Sequence, residues 1–289
     1  MASLRQQPGL LAIEPPPADL APFVVGFVHR DDPEGGEVVR LLPELRTSIQ
    51  IMIADPYWLR ERAPDAIWEM APRIGLWGPR SHWGYGYARR HVKAYAVGLT
   101  ALGSGAVVGA PVAGLVDRVV ALKSVAPDLA QRLDPLPDED FSSWRLRATD
   151  CLGDAVRDAS RHDPIAGALS VLAVTKGDAV AQAAEAVGHS ERHFRRVFKA
   201  HHGLTPKQYQ RTLRVDRMIR QLHERPWEAD AFAADPIPFA DQAHAIREFR
   251  ALTGLTPLDY VRLKRSGDVT LSLRACRWRA AARRRLIRA

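Results

Sequence analysis

Basic and apolar side chains alternate along the segment 190–199 at the spacing of two faces of a helix. One face carries Arg192, Arg195, Arg196 and Lys199. The other carries Phe194, Val197 and Phe198, which predicts that it is buried. Arginine can pair with guanine through two hydrogen bonds, so the pattern is suited to reading the DNA major groove. Taken alone, it is more typical of the solvated face of a surface helix.

Two residues before this helix indicate how the chain enters it. Ser190 is a favourable N-cap, because its hydroxyl can accept a hydrogen bond from an unpaired amide of the first turn. Gly188 can adopt the positive φ that a tight turn requires. Together they predict a helix–turn–helix arrangement in which the basic helix comes second.

A copy of the segment lies 51 residues further along the chain. The shift aligns Phe198 with Phe249 and Tyr209 with Tyr260, and it aligns residues 203–206 with 254–257, both Gly-Leu-Thr-Pro. The cap Ser190 aligns with Asp241, which is also a good N-cap. The repeat predicts two helix–turn–helix units joined by one long helix. A bridging helix of ~18 residues spans ~27 Å, close to the ~34 Å repeat of a DNA groove.

The charge of the chain is unevenly distributed. Its 289 residues carry a net charge of +8, and from Asp178 onward 22 Lys and Arg face 12 Asp and Glu. The rest holds 19 basic and 21 acidic residues, so a polyanion partner is predicted for the C-terminal part alone. Seven of the arginines follow Ser266, so the part of this region that is expected to fold is less basic than the count from Asp178 onward suggests.

Compartment and domain count follow from other bulk features. The length suffices for two domains. No apolar run approaches the roughly 18 residues of a membrane span, and the first residues do not resemble a signal peptide. Cys151 and Cys276 lack metal-type spacing, which fits a reducing compartment. We therefore expect a cytoplasmic protein without membrane contact.

The fold predicted from these patterns is α+β, with a β-rich N-terminal domain and an all-α C-terminal domain. Short apolar runs between Gly, Pro and Asp turns predict a small barrel or sandwich after a poorly patterned lead at residues 1–16. The predicted strands are 23–28, 38–43, 48–53, 74–79 and 92–99. The predicted helices are 106–109, 112–122, 141–160, 164–174, 179–187, 190–199, 206–223, 227–235 and 241–252. The predicted boundaries are a sensing or dimerisation domain at 1–135, a helical linker at 136–163, a double helix–turn–helix domain at 164–265 and a basic tail at 266–289.

The C-terminal pattern resembles a known family. Residues 164–265 resemble the DNA-binding domain of AraC/XylS-type transcription regulators. The first unit carries Gly188, Phe194, Phe198 and Gly203 at the family's spacing. The second, more diagnostic unit carries Phe239, Asp241, Gln242, His244, Arg247, Glu248, Phe249, Gly254, Thr256 and Pro257. The match covers about a third of the chain, and its double spacing makes it specific.

Two features depart from that family's pattern. Pro236 and Pro238 stand in the second turn, where glycine is usual, and proline cannot adopt positive φ. Ala245 stands where a larger apolar residue is usual, so the second unit is expected to dock less closely on DNA. The front part, through residues 41–44, 97–99 and 119–122, resembles the small N-terminal domain of some actinobacterial-type members. That likeness implies a β-rich sensing or dimerising module.

The resemblance implies which side chains meet DNA. In the first unit it directs Arg192, Arg195 and Arg196 to base edges, with His193 on the same face and Lys199 on phosphate. Contact with phosphate alone is an equally open alternative for each arginine. In the second unit Gln242 is suited to adenine, and Ala243 and Ile246 to thymine methyl groups, although Ile246 fits helix packing equally well. Arg247 and Arg250 complete that face.

Other clusters have weaker functional interpretations. His189 and His193 lie four residues apart, as metal-binding pairs do, but no third ligand is near, so no metal and no cofactor are predicted. His201 and His202 are expected to cap a helix C-terminus. Aromatic residues crowded between 58 and 87 either line an effector pocket or form ordinary core. They are Trp58, Trp68, Trp77, Trp83, Tyr85 and Tyr87. The basic tail from Leu273 onward either contacts DNA phosphates or is unstructured.

Three classes of function remain open from the sequence. The first is a sequence-specific transcription regulator that binds double-stranded DNA. Its candidate partners are a small-molecule effector, a second copy through the N-terminal domain, and RNA polymerase if it activates. The second is a DNA alkyl-transfer enzyme using Cys151, although the neighbouring Asp150 opposes ionisation of the thiol. The third is a ligand-binding protein with degenerate DNA units. We expect the first class and no enzymatic activity.

Overall fold

Two antiparallel sheets form the N-terminal part of the molecule. The computed structural model describes residues 10–33, 36, 38–108, 112–157, 159, 165–174, 178–224 and 242–266. Its strands are β1 (Leu10–Glu14), β2 (Val24–Asp32), β3 (Val38–Leu41), β4 (Thr47–Met52), β5 (Tyr57–Glu61), β6 (Glu69–Met70), β7 (Ile74–Trp77), β8 (Gly84–Ala88), β9 (Val92–Leu99) and β10 (Val119–Ala121). The larger sheet has the order β1-β2-β9-β4-β7-β10, and the smaller sheet β3-β8-β5-β6.

Helices follow the sheets along the chain. The first part holds α1 (Ala101–Val108), α2 (Pro127–Leu133) and α3 (Phe141–Ala155), with 3-10 helices at Val112–Leu115 and Leu122–Ser124. The second part holds α4 (Ala166–Val174), α5 (Ala179–Ala186), α6 (Glu191–His202), α7 (Pro206–Glu224), α8 (Gln242–Thr253) and α9 (Pro257–Ser266). This arrangement confirms the predicted α+β class, with β-rich structure first and helices after it.

The larger sheet buries one face against helices and the other against the smaller sheet. Ile49 and Ile51 of β4 alternate toward a core that includes Leu133 of α2 and Trp144 of α3. The indole nitrogen of Trp144 donates to the carbonyl of Leu133 at 2.8 Å, so this large buried ring leaves no polar atom unsatisfied. Helix α3 falls in the segment predicted as a linker, yet it packs into this core.

The second face of the larger sheet meets the smaller sheet through a separate apolar cluster. Met52 and Ala94 from the larger sheet pack with Tyr57 and Ala88 from the smaller one. The two sheets therefore pack on each other through this cluster, in agreement with the predicted small barrel or sandwich. Burial raises the pKa of Tyr57 to about 12.

Several predicted elements of the N-terminal part are confirmed and another is wrong. Strands predicted at 23–28, 38–43, 48–53, 74–79 and 92–99 correspond to β2, β3, β4, β7 and β9. The lead at residues 1–16, whose sequence is poorly patterned, contains a strand that was not among those predicted, because Leu10–Glu14 pairs with β2 along its whole length. The helix predicted over 112–122 is wrong. A 3-10 helix at Val112–Leu115 is followed there by β10, which pairs with β7.

A bidentate ion pair anchors the loop between α2 and α3. The Arg147 guanidinium donates to Glu139 through Nε at 3.0 Å and Nη2 at 2.6 Å. This contact holds the pKa of Glu139 below its ordinary value, and the amide of Leu136 adds to the effect. The carboxylate therefore stabilises the fold above its unfolded-state pKa.

We expect part of the acid sensitivity of the fold to come from Glu139. Because its pKa is lowered in the folded state, its stabilisation is complete above about pH 4.5 and declines as the pH falls through the folded-state pKa. Denaturant unfolding at pH 7, 5, 4 and 3 checks this. A Glu139→Gln variant should lose less stability than wild type between pH 5 and 3. Identical pH profiles for the two proteins would contradict the assignment.

The C-terminal helices enclose two cores that α7 connects. The first core contains Phe194 and Phe198 of α6, with Tyr209 from the start of α7 packed against it. The second contains Met218 and Ile219 from the other half of α7, together with residues of α8 and α9. Each end of α7 thus belongs to a different helical unit. The helix predicted over 227–235 lies outside the described residues, as does the basic tail beyond 266. In the described part of the chain no helix is both long and apolar enough to cross a membrane.

Candidate nucleic-acid interface

The turn before α6 has the local geometry that the sequence predicts. Gly188 has φ +69°, and the amides of Gly188 and His189 donate to the carbonyls of Glu185 and Ala184 at the end of α5. Ser190 is the N-cap, and its Oγ accepts from the amide of His193 at 3.4 Å. The cap and the glycine together fix the start of α6 against α5.

The inner face of α6 is held by aromatic rings. Phe194 and Phe198 are both 0% exposed, and their ring centroids lie 5.4 Å apart. Phe198 also meets Tyr209 edge to face at 5.3 Å. His202 is buried against Phe198 at 4.6 Å, so it packs in this core, a role that the sequence did not predict. Gly203, with φ +76°, ends the helix, and its backbone amide donates a hydrogen bond to the carbonyl of Lys199.

The outer face of α6 presents the predicted basic side chains to solvent. These exposed residues are Arg192, His193, Arg195, Arg196 and Lys199. Arg195 forms an ion pair with Glu191 at 2.8 Å, and Arg196 Nη2 lies 3.3 Å from His193 Nδ1. The side chain of Arg192 makes no hydrogen bond or ion pair within the part of the chain that the structure describes. Glu191 therefore pairs with one arginine of this face, and the face keeps a strong positive charge.

Helix α8 repeats the geometry of α6 at the 51-residue shift. Both helices have 12 residues, and both end at a glycine of left-handed conformation, Gly254 having φ +72°. Phe249 is 0% exposed and meets Tyr260 edge to face at 5.8 Å, as Phe198 meets Tyr209. Ala245 is buried at the position equivalent to Phe194. The repeat seen in the sequence is thus a repeat of packing as well.

The outer face of α8 is less basic than that of α6. Ala243, Arg247 and Arg250 are exposed, and Ile246 is 36% exposed. At the shifted positions Arg196 corresponds to Arg247 and Lys199 to Arg250, whereas Arg192 and Arg195 correspond to Ala243 and Ile246. Gln242 begins α8, but its side chain lies outside the described residues, as do Pro236 and Pro238 of the unusual turn. The exposure of Ile246 is compatible with contact to a thymine methyl group and with helix packing alike.

A buried carboxylate ties α8 to α7, and the sequence did not identify it. Glu248 is 9% exposed by side chain and accepts from Arg211 Nε at 3.0 Å and from Arg214 Nη2 at 2.9 Å. His244 Nε2 lies 3.7 Å from the same carboxylate. Sequence signals did exist: Glu248 falls on the inner face of α8 beside Phe249, and the two arginines are three apart on α7.

The remaining candidate clusters have plain structural positions. The rings of His189 and His193 lie 4.5 Å apart, and the described residues hold no group of three or more possible metal ligands. Three of the six crowded aromatics, Trp68, Trp83 and Tyr85, form a ladder with two arginines beside the smaller sheet. Arg40 lies over Trp83 at 4.3 Å and Tyr85 at 5.4 Å, and Arg60 over Trp68 and Tyr85. Trp77 lies apart from this ladder, 6.2 Å from Tyr57.

Comparison with known proteins agrees with this geometry in the C-terminal part. Residues 183–263 match the family model of a helix-turn-helix domain. No curated protein matches the chain. Among solved structures, ToxT from Vibrio cholerae is similar at 9% identity with a TM-score of 0.46, covering 78% of this chain and 97% of that one. ToxT bound to an unsaturated fatty acid is similar at 8% identity with a TM-score of 0.44, covering 90% and 97%. Similarity at this level supports no conclusion about a ligand.

Proposed function

We propose that this chain is a DNA-binding transcription regulator that reads a specific DNA site by inserting α6 and α8 into adjacent major grooves. The helix-turn-helix domain matched at residues 183–263, where the sequence resembles the AraC type, supports the proposal. The observation that carries the proposal is the matched geometry of the two helices. Both expose cationic side chains and bury a phenylalanine beneath them. We call α6 and α8 the recognition helices.

The dimensions of α7 support binding in adjacent grooves. This helix has 19 residues, so it is about 28 Å long, and it belongs to both cores. Successive major grooves on one face of B-DNA are about 34 Å apart. A single chain can therefore carry two recognition helices at the required separation without a palindromic site.

Within this proposal the exposed side chains have distinct tasks. Arg192, Arg195 and Arg196 are assigned to base edges or neighbouring phosphates, and Lys199 to phosphate. On the second recognition helix Arg247 is the counterpart of Arg196, and Ile246 with Ala243 offers apolar contact to thymine methyl groups. The first recognition helix then provides more of the positive charge at the interface, and the second provides more of the apolar contact with bases.

The two alternatives have less support. Cys151 is 4% exposed and its thiol lies 3.8 Å from the Arg132 carbonyl, so it is not accessible as a nucleophile for DNA. Degenerate DNA units would not require α8 to keep the length, C-terminal glycine and aromatic pair of α6. An effector at the N-terminal domain, a homodimer and contact with RNA polymerase remain predictions.

Selection from random duplex DNA, followed by salt titration, tests the function. We expect an enriched sequence whose affinity falls steeply as salt rises. Lys199→Ala should weaken binding to every sequence and reduce the salt slope by about 1, whereas Arg196→Ala should cost ~1–3 kcal/mol at one base position. Arg157→Ala, which removes an exposed arginine outside the domain, is the matched control. Failure to enrich any sequence would refute the proposal.

A further inference from the structure

The two glycines that end the recognition helices both lie against the N-terminal domain. A Cβ added to Gly203 would lie 2.7 Å from Val116 Cγ2 and 3.2 Å from the Val112 carbonyl. A Cβ added to Gly254 would overlap Arg40 Nη1 and lie 2.5 Å from Trp83 Cε2. The equivalent ends of the two recognition helices are therefore both in close contact with the same domain.

This close approach is not a general property of turn glycines in the chain. Gly188 also has positive φ, at +69°, but an added Cβ there would meet no atom within 4 Å. Positive φ explains glycine at all three positions. Only Gly203 and Gly254 also need the absence of a side chain, because the N-terminal domain occupies that space.

The contact with α8 combines charge and stacking. Arg40 Nη1 donates to the carbonyl of Thr253, the last residue of α8, at 3.3 Å. Its guanidinium lies over Trp83 at 4.3 Å, and β3 pairs with β8, which places Tyr85 directly opposite Arg40. A cation at a helix C-terminus interacts favourably with the exposed carbonyls there. Leu42, just after β3, is buried in the core formed by α7, α8 and α9.

The contact with α6 comes from a segment that is itself fixed on the sheets. The 3-10 helix Val112–Leu115 lies against α6, and α1 lies beside it. Asp117 accepts from both the amide and the hydroxyl of Ser81, at 2.7 and 2.6 Å. Gly78 passes so close to the Leu115 carbonyl that a Cβ would overlap it. The segment is therefore held from both sides.

We infer that the N-terminal domain positions both recognition helices by their C-terminal ends and so sets the spacing between the two DNA half-sites that the chain accepts. Arg40 and Trp83 are positioning residues for α8, and Val112 and Val116 for α6. The inference rests on the proposed function for its DNA consequence, whereas the contact itself is independent of DNA. By this inference the N-terminal domain directly affects which DNA sites the chain recognises.

The DNA consequence follows from the geometry of the duplex. One added base pair rotates the second half-site by about 34–36° about the axis. Two recognition helices that are both held by the N-terminal domain cannot follow that rotation without breaking their contacts with that domain or with the DNA. Helices joined by α7 alone can adjust more freely. The range of half-site spacings that the protein accepts therefore measures how firmly the N-terminal domain holds the two recognition helices. A loss of protein stability alone would not change that range.

The test uses the full chain and the duplex enriched by selection, with versions carrying one base pair more or less between the two contacted base clusters. Wild type should bind the altered duplexes about tenfold or more weakly, a change of about 1.4 kcal/mol. Arg40→Ala should reduce that ratio to about threefold or less and lower the affinity for the unaltered duplex. Gly254→Ala should act similarly. Gly188→Ala, which introduces the same φ strain without the contact, should keep the wild-type ratio.

A second measurement, without DNA, separates this inference from the proposed function. Hydrogen exchange of peptides covering residues 249–256 should be faster in Arg40→Ala than in wild type and Gly188→Ala. Trp83→Leu provides a second variant should Arg40→Ala fail to fold. Unchanged exchange in the Arg40 or Trp83 variant would overturn the contact, and unchanged spacing ratios would overturn its role in reading. Absence of any enriched duplex would instead refute the proposed function, leaving the exchange result to decide on the contact.

Discussion

Replacing Glu248 by alanine is expected to destabilise the second helical unit by about 3 kcal/mol. The carboxylate is 9% exposed and accepts from Arg211 and Arg214 of α7, so its removal takes away the acceptor that these two guanidinium groups share and that ties α8 to α7. Breaking a fully buried pair costs about 3–5 kcal/mol, and the partial exposure of Arg211 places the expected value at the lower end. Denaturant unfolding monitored by circular dichroism measures the change.

Two further variants distinguish the ion pair from general sensitivity of the domain. Glu248→Gln keeps an acceptor oxygen and should cost less than the alanine change. Glu185→Ala removes an exposed acid from α5 and should alter stability by less than about 0.5 kcal/mol. Equal stability of Glu248→Ala and wild type would show that the carboxylate does not hold α8 on α7.

Replacing Phe198 by alanine is expected to cost about 3–5 kcal/mol and to open the first core. The ring is 0% exposed and contacts Phe194, His202 and Tyr209, so no neighbouring ring can move to fill the space without losing its own contacts. The orientation of the exposed arginines depends on this ring, and we expect DNA binding to fall with stability. Thermal unfolding and hydrogen exchange of α6 check both expectations.

Phe249→Ala in the second core is the natural comparison. Because the two cores are separate clusters connected by α7, each change should raise exchange mainly in its own unit. Arg192→Ala, on the exposed face of α6, should leave stability within about 0.5 kcal/mol of wild type. Uniformly faster exchange across both units in the Phe198 variant would contradict the division into two cores.

The repeat made the C-terminal helices predictable from sequence. Its 51-residue shift relates the bounds of α6 to those of α8, and Pro206 to Pro257 as the first residues of α7 and α9. Ser190 and Gly188 have the cap and turn geometry that their chemistry predicts. Local signals suffice in this region, because caps, turn glycines and helical periodicity act within a few residues.

The smaller sheet was harder to predict, for a physical reason. β8 has the sequence Gly-Tyr-Gly-Tyr-Ala, in which glycine supplies the buried face and tyrosine the outer one. Glycine weakens a strand signal, yet Gly86 is required because the Tyr57 hydroxyl occupies the space of a side chain. The apolar run of β1 lies in a poorly patterned lead, so local sequence signals do not predict a strand there. Its strand character comes from pairing with β2.

Contacts between distant segments could not be read from the sequence at all. Arg40 and Thr253 are separated by 213 positions, and no local pattern links a strand arginine to a helix carbonyl. The Glu248 cluster also joins two helices whose relative position depends on packing. The solvent exposure of the basic side chains of α6, in contrast, is predicted by periodicity, since the side of a helix opposite its apolar face is solvated. Their roles on DNA are implied by the family resemblance.

The most direct test of two recognition helices on one chain is a base-by-base specificity map of the enriched duplex for two variants. Each base pair is substituted in turn, and the affinities of wild type, Arg196→Ala and Arg247→Ala are compared. We expect Arg196→Ala to lose discrimination of ~1–3 kcal/mol at a position in one half-site and Arg247→Ala at a position about one helical turn away. Loss at the same position in both variants, or unchanged discrimination in both, would contradict the account.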